Sequence, residues 1–194
     1  LPCIAPVENS DGSTMPMPAH GVLATDRVRH VGDPVAVVVA ETPLAAADGA
    51  EAVWVEYESL PAIADTEAAL NEDAPQVWPE APGNLSFDWD LGSAADTDAA
   101  FATAHHVTRL RLINNRVAPS AIEPRAAVGE FDARTGKFTL YAGCQGRHVL
   151  RDAMATAALG VEPDQLRIVT NDVGGGFGAK IFPYAEPAVA LWAA

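Results

Sequence analysis

Towards the end of the chain the sequence reads Val173-Gly174-Gly175-Gly176-Phe177-Gly178-Ala179-Lys180. Residues 174–178, here called the glycine loop, hold four glycines in five positions. This composition permits positive φ angles and brings several backbone N–H groups within reach of one ligand. A phosphate-binding P-loop requires Ser or Thr after its lysine, but Ile181 stands there, and the glycine spacing also differs from a dinucleotide fingerprint. The loop therefore indicates either close packing or cover over a flat ligand, and the inserted Phe177 favours the second.

Hydrophobic patterning upstream of the glycine loop predicts a strand-rich second half. Residues 133–136 are typical of a hairpin turn in which Gly136 takes a positive φ angle. Gly160 stands where a left-handed residue would end a helix. The predicted elements are a helix at 96–104 capped by Asp96, a strand at 107–117, strands at 126–132 and 137–142, a helix at 147–159 and a strand at 166–170.

The first half of the sequence predicts a compact β-α-β unit. The β-branched run at 35–39 is typical of a buried strand, Thr42 can cap a helix at 44–52, and residues 53–57 alternate as a second strand. Residues 71–93 are rich in Pro, Gly, Asn and Asp, a composition typical of a linker or a long surface loop. We therefore expect a domain boundary in this stretch.

The composition excludes several classes of function. The chain has 194 residues, with 12 Lys and Arg against 26 Asp and Glu, and its net charge of −14 disfavours binding to nucleic acid or anionic membranes. Hydrophobic residues make up 49% of the chain, which is enough for a packed core. No apolar run approaches the roughly 20 residues of a membrane span. Cys3 and Cys144 are too far apart to indicate a metal or redox pair, and no signal peptide is evident, so we expect a cytoplasmic protein.

The two ends of the sequence are typical of a fragment. The first residue is Leu1 rather than Met, and residues 190–194 have the character of the middle of an apolar helix without a stop signal. We therefore expect the chain to be part of a longer polypeptide.

The glycine loop, preceded about 30 residues earlier by Cys144-Gln145-Gly146, resembles the molybdopterin-binding subunit of the molybdenum hydroxylases. This family includes xanthine dehydrogenase, aldehyde oxidase and aerobic carbon monoxide dehydrogenase. Residues 32–57 resemble the later part of its α/β hammerhead domain, and residues 122–126 resemble a strand of its first molybdopterin domain. The resemblance implies an α+β fold: the end of a hammerhead-like domain at 1–75, a linker at 76–93 and the first part of a molybdopterin-binding domain at 94–194.

The resemblance also implies roles for individual residues. Gln145 matches the glutamine whose side-chain amide forms a hydrogen bond with an oxo ligand of molybdenum. Phe177 matches the phenylalanine whose backbone amide reaches the metal centre and whose ring borders the substrate channel. Gly175, Gly176 and Gly178 match the loop that lets backbone amides approach the cofactor. The general-base glutamate of the family is expected beyond residue 194, so no catalytic residue and no protein ligand to a metal is assigned here.

For function, the resemblance implies oxidation of carbon monoxide, an aldehyde or an N-heterocycle with water as the source of oxygen. Lys180 is followed by Ile181 rather than by the glutamate of the purine-oxidising members, which resembles the carbon monoxide dehydrogenase branch. The implied cofactor is molybdenum-molybdopterin in its cytosine dinucleotide form. The implied partners are the remainder of the large subunit and the subunits or domains that carry iron–sulfur clusters and FAD.

Other interpretations of the sequence remain open. The chain could be a non-catalytic binding or scaffold module whose glycine loop serves packing only, or a nucleotide-binding enzyme that uses Lys180 for phosphate. Glu123 and Arg125 could form a structural ion pair or contact a neighbouring subunit. The adjacent His105 and His106 are a poor metal site, because neighbouring residues on a strand point to opposite faces.

Overall fold

The computed structural model describes residues 1–194 and contains four α-helices and one three-stranded sheet. None of its helices has the length and apolar character that crossing a membrane requires. Short 3₁₀ turns occur at Ala68–Leu70, Pro82–Asn84 and Pro163–Gln165. In chain order, the main elements are α1 (Pro43–Glu51), α2 (Ala94–Thr103), β1 (Ala127–Asp132), β2 (Lys137–Ala142), α3 (Arg147–Ala153), β3 (Leu166–Val169) and α4 (Ala185–Trp192).

The sheet consists of the predicted hairpin and one parallel strand, in the order β1-β2-β3. β1 pairs with β2 antiparallel, with Asp132 opposite Lys137, and β2 pairs with β3 in parallel, with Phe138 opposite Leu166. Gly136 takes a φ of 68°, so the predicted positive angle in the hairpin turn is confirmed. The connection from β2 to β3 passes through α3, and the residues of the candidate site follow the ends of β2 and β3.

The hydrophobic core lies in the second half of the chain. Helices α3 and α4 pack on the sheet, and three large side chains in the core are fully buried: Leu140, Met154 and Leu191. Residues 1–126 contribute a single buried residue, Ala81. The complete core cluster is Leu140, Cys144, Leu150, Met154, Ala155, Leu166, Ala188 and Leu191. Burial of apolar surface therefore stabilises the part of the chain that carries the glycine loop.

The helix predicted at 147–159 is divided into two parts. α3 ends at Ala153, and Met154–Leu159 continue as a wider π-helical turn. Met154 and Ala155, although consecutive, are both fully buried there. Gly160 ends the segment in the left-handed conformation with a φ of 68°, as predicted.

Three predicted strands, at 35–39, 53–57 and 107–117, are wrong, because these runs form no hydrogen-bonded ladder. Trp54 is 89% exposed and Leu110 is 78% exposed. β-propensity describes how well a side chain fits a half-buried pleated surface. A segment of high β-propensity therefore forms a strand only where another segment pairs with it. Of the predicted β-α-β unit, only α1 is therefore formed.

The helix caps in the first half follow the chemistry of short polar side chains. Thr42 caps α1 as predicted, because its hydroxyl accepts a hydrogen bond from the Ala45 N–H at 3.1 Å. The predicted cap of α2 at Asp96 is wrong, since Ser93 accepts from the Asp96 N–H at 3.2 Å and the helix begins at Ala94. Asp96 lies instead in the first turn, where a negative charge is favourable.

The segment at 71–93 is an ordered loop fixed by one asparagine. The Asn84 side chain accepts from the Val77 N–H at 2.8 Å and donates to the carbonyls of Ala69 and Pro75 at 2.9 and 3.0 Å. The Arg29 guanidinium lies 3.8 Å above the ring of Trp78 and ties this loop to the first segment of the chain.

Replacing Gly129 with alanine is expected to destabilise the second half. Gly129 lies in β1 under α4, and an added Cβ would fall 2.2 Å from the Ala190 carbonyl oxygen. The helix must then shift, and overpacking of this kind lowers the free energy of unfolding by about 1–3 kcal/mol. Urea denaturation measures the change, and Val128→Ala is the control, because Val128 is adjacent and 62% exposed. Equal effects of the two changes would contradict the close packing described here.

Candidate functional site

The glycine loop follows β3 and has an unusual backbone. Gly175 takes a φ of 101° and Gly178 a φ of 83°, angles that residues with a Cβ rarely adopt. Phe177 is also left-handed, with a φ of 49°, and its ring is 74% exposed. A bulky residue in this conformation is uncommon, and such backbone strain is typical of functional loops.

Four consecutive backbone N–H groups of the loop have no acceptor within the chain. The N–H groups of residues 175–178 take part in none of its hydrogen bonds, whereas the Ala179 N–H donates to the Gly176 carbonyl at 2.8 Å. Backbone donors are normally paired, with protein or with another partner. These four N–H groups are therefore available to an acceptor from outside the chain, as in backbone nests that hold anions.

Gln145 lies between β2 and α3 and faces the segment that follows the loop. Its backbone N–H donates to the Lys180 carbonyl at 3.0 Å, and its side-chain Oε1 accepts from the Lys180 N–H at 3.2 Å. These two bonds orient the side-chain amide. Nε2 makes no hydrogen bond within the chain, so the amide presents a neutral donor to its surroundings.

Gly176 packs directly against the side chain of Gln145. A Cβ at position 176 would fall 2.5 Å from both Cδ and Oε1 of Gln145. Only glycine leaves room for this approach. The structure thus brings together the sequence-predicted residues Gln145, Gly175, Gly176, Phe177 and Gly178, although they come from two separate parts of the chain.

Sequence reasoning missed the ion pair of Glu123 with Lys180. Lys180 is buried, and its Nζ donates to Glu123 Oε2, which also accepts from the Gly174 N–H at 2.9 Å. The hydrogen bond from Lys180, followed by that from Gly174, holds the pKa of the Glu123 carboxyl below its ordinary value. The only signal in the sequence was Lys180, just after the glycines. A buried lysine is expected to pair with a carboxylate.

The structure also bears on two of the open interpretations. Glu123 does not pair with Arg125, because Arg125 instead donates to Glu186 at 3.2 Å and stacks on the ring of Tyr184. Lys180 is not free to bind phosphate, since its ammonium group is buried against Glu123. No group of three or more His, Cys, Asp or Glu side chains has the geometry of a metal site, which leaves His105 and His106 without metal-binding partners.

Cys144 is a buried small residue beside the site. Its Sγ lies 3.1 Å from the Thr170 hydroxyl, which donates to the Ala142 carbonyl at 2.8 Å. A cavity of about 940 Å³ lies between residues 1–34, residues 63–86 and residues 182–186. It includes neither Gln145 nor the glycine loop, so the candidate site lies outside this cavity.

Comparison with known families identifies the two parts of the chain. Residues 77–194 match the family "Molybdopterin cofactor-binding domain", and residues 4–61 match the family "Aldehyde oxidase and xanthine dehydrogenase, a/b hammerhead domain". The order of the two matches agrees with the α+β fold implied by the sequence: the end of a hammerhead domain, then part of a molybdopterin-binding domain.

Individual relatives extend over nearly the whole chain. The carbon monoxide dehydrogenase large chain of Hydrogenophaga pseudoflava is 36% identical over 175 residues, covering 84% of this chain and 22% of that protein. The aldehyde oxidoreductase of Megalodesulfovibrio gigas is 34% identical over 186 residues, covering 96% of this chain and 20% of that protein. This chain spans about a fifth of the length of these relatives.

A solved structure confirms the fold. Reconstituted CO dehydrogenase from Oligotropha carboxidovorans superposes with a TM-score of 0.80 at 32% identity, covering 89% of this chain and 23% of that one. The family match over more than half of the residues agrees with this likeness in sequence and in structure. The chain therefore belongs to the molybdopterin cofactor-binding domain family, preceded by a hammerhead segment of the aldehyde oxidase and xanthine dehydrogenase type.

Proposed function

We propose that this chain is the part of a molybdenum hydroxylase large subunit that holds one side of the molybdenum-molybdopterin cofactor. The observation that carries the proposal is the contact between Gln145 and the glycine loop: a Cβ at Gly176 would fall 2.5 Å from the Gln145 side chain, and neither Gln145 Nε2 nor the N–H groups of residues 175–178 have an acceptor within the chain. We divide the chain accordingly into a hammerhead part at 1–75, a linker at 76–93 and a cofactor-binding part at 94–194.

The residues present fit such a cofactor. Its oxygen atoms are hydrogen-bond acceptors. The site offers neutral amide donors, which form hydrogen bonds without giving up their protons. At Gly178 nothing lies within 4 Å of the position that a Cβ would take, so an external group can approach the backbone there. When bound, the cofactor supplies the redox chemistry, and this chain supplies orientation and hydrogen bonds.

For the substrate class, we propose carbon monoxide, an aldehyde or an N-heterocycle, oxidised with oxygen from water. The relatives include a carbon monoxide dehydrogenase and an aldehyde oxidoreductase, and Ile181 after Lys180 favours the carbon monoxide dehydrogenase branch. The general-base glutamate would lie beyond residue 194. We further propose the cytosine dinucleotide form of the cofactor, iron–sulfur and FAD partners, and a cytoplasmic location.

A packing-only role for the glycines explains less of the structure. Packing accounts for the close approach of Gly174 to Glu123 and of Gly176 to Gln145. It does not account for a left-handed, exposed Phe177.

Metal analysis of the complete subunit, purified with its partners from its source cells, tests the proposal. We expect about one molybdenum per subunit, together with oxidation of at least one member of a panel of carbon monoxide, aldehydes and N-heterocycles. A folded complex without molybdenum would contradict the proposal.

Replacing Phe177 with alanine is expected to change substrate selectivity. The exposed ring stands beside the row of donors, where it would form one wall of the substrate pocket. Loss of an apolar wall changes relative kcat/KM values by about tenfold. Phe101→Ala is the control, because Phe101 lies in α2 and is likewise exposed, at 60%. An unchanged ratio of kcat/KM between aldehydes and heterocycles in Phe177→Ala would count against this role.

A further inference from the structure

The ion pair of Glu123 with Lys180 joins both ends of the glycine loop to one carboxylate. The Lys180 side chain is 2% exposed, and its Nζ donates to Glu123 Oε2. The same oxygen accepts from the Gly174 N–H at 2.9 Å, and the Glu123 N–H donates to the Gly174 carbonyl at 3.2 Å. Glu123 therefore holds Gly174, the first residue of the loop. It also holds Lys180, which lies two positions after the last residue of the loop.

Two glycines make room for this carboxylate. A Cβ at Gly174 would lie 2.6 Å from Glu123 Cβ, and a Cβ at Gly143 would lie 3.2 Å from Glu123 Oε2. Gly143 comes two residues before Gln145. Glu123 is thus seated between the segment that carries Gln145 and the segment that carries the loop.

Lys180 connects the ion pair to Gln145. Its backbone N–H and carbonyl form the two hydrogen bonds, of 3.2 and 3.0 Å, that orient Gln145. Its side chain points the other way, into the contact with Glu123. Because a buried ammonium group requires its counter-charge, the position of Lys180 depends on Glu123.

We propose that the Glu123–Lys180 pair is a positioning device that sets the glycine loop against Gln145, so that the two groups of donors converge on one ligand. This inference rests on the function proposed above. Lys180 Nζ and Glu123 Oε2 are bonded to each other, and Oε2 also accepts from Gly174, so the pair acts on the site through the loop.

Hydrogen exchange of the cofactor-free complete subunit tests the device without using activity. In Glu123→Gln, we expect exchange at the Gly174 and Lys180 amides to be about tenfold faster, because a charge-assisted hydrogen bond is lost, while the β1–β2 hairpin keeps its protection. The molybdenum content of the loaded subunit should fall in parallel. Glu186→Gln is the matched control: it breaks an exposed ion pair with Arg125 and should change neither quantity.

A double variant, Glu123→Gln with Lys180→Met, separates positioning from stability. It removes both charges, so no unpaired ion remains buried, and we expect its melting temperature to recover from that of Glu123→Gln. The ion pair that connects Glu123 to Lys180, just after the glycine loop, is still missing in the double variant. Its molybdenum content should therefore stay low. This variant also keeps the test decisive if Glu123→Gln fails to fold.

Two results would overturn the inference. One is unchanged exchange at Gly174 and Lys180 in Glu123→Gln, and the other is a full molybdenum content in the double variant. Absence of molybdenum from the unmodified subunit would contradict the proposed function instead, and the exchange measurement would still decide whether the pair holds the loop.

Discussion

Replacing Gly176 with alanine should leave the complete subunit folded and almost without molybdenum. The added Cβ would fall 2.5 Å from two atoms of the Gln145 amide, so either the loop or the Gln145 side chain must move. Both movements separate the donors that we propose to bind the cofactor. The hydrophobic core includes neither Gly176 nor Gln145, so the fold should persist.

The measurement is molybdenum per subunit, with circular dichroism to verify folding. Gly146→Ala is a matched control, because Gly146 adjoins Gln145 but an added Cβ there meets nothing closer than 3.9 Å. We expect Gly176→Ala to hold about a tenth of the molybdenum of the original subunit when the cofactor is supplied well below its Kd, since a binding loss of roughly 1.4 kcal/mol is tenfold in affinity. Normal metal content in Gly176→Ala would show that the close approach of the loop to Gln145 is unimportant for binding.

Replacing Gln145 should lower turnover far more than stability. Gln145→Ala removes the outward donor and one hydrogen bond, from Lys180 N–H to Oε1. Removal of one preorganised donor from a reacting centre lowers kcat by about 100-fold or more. The single intramolecular bond accounts for about 1 kcal/mol of folding free energy.

The variant Gln145→Glu separates the loss of the outward donor from the loss of the bond to Lys180. Glutamate keeps an oxygen that can accept from the Lys180 N–H, but it replaces the outward NH₂ donor with a second acceptor. We expect its unfolding free energy to stay close to that of the original chain and its kcat to fall as in Gln145→Ala. Full turnover by Gln145→Glu with a full metal complement would remove Gln145 from the proposed site.

Local chemistry made part of the fold predictable from sequence. The Thr42 cap, the turn at Gly136 and the left-handed Gly160 each depend on residues within a few positions, and all three are confirmed. The strands predicted at 35–39 and 107–117 needed a distant partner, which the chain does not provide. β-propensity alone could not show that absence.

The candidate site shows the same division between local and distant information. The freedom of the glycine loop followed from its composition, whereas its contact with Gln145 was implied only through the resemblance to a family. The partnership of Glu123 with Lys180 spans 57 residues, and no spacing rule connects positions so far apart. Lys180 could be recognised as buried only once the fold was known.

The separation in sequence of the contacts around the loop also sets an order of events during folding. Glu123 meets Gly174 and Lys180 across 51 and 57 residues, and Gln145 meets Lys180 across 35. The β1–β2 hairpin closes a turn of four residues, and hairpins of this kind form in about 1–10 μs. Because closing a longer loop costs more entropy, the donors should come together after the sheet exists. A newly made chain would then form the sheet before the proposed cofactor site is assembled.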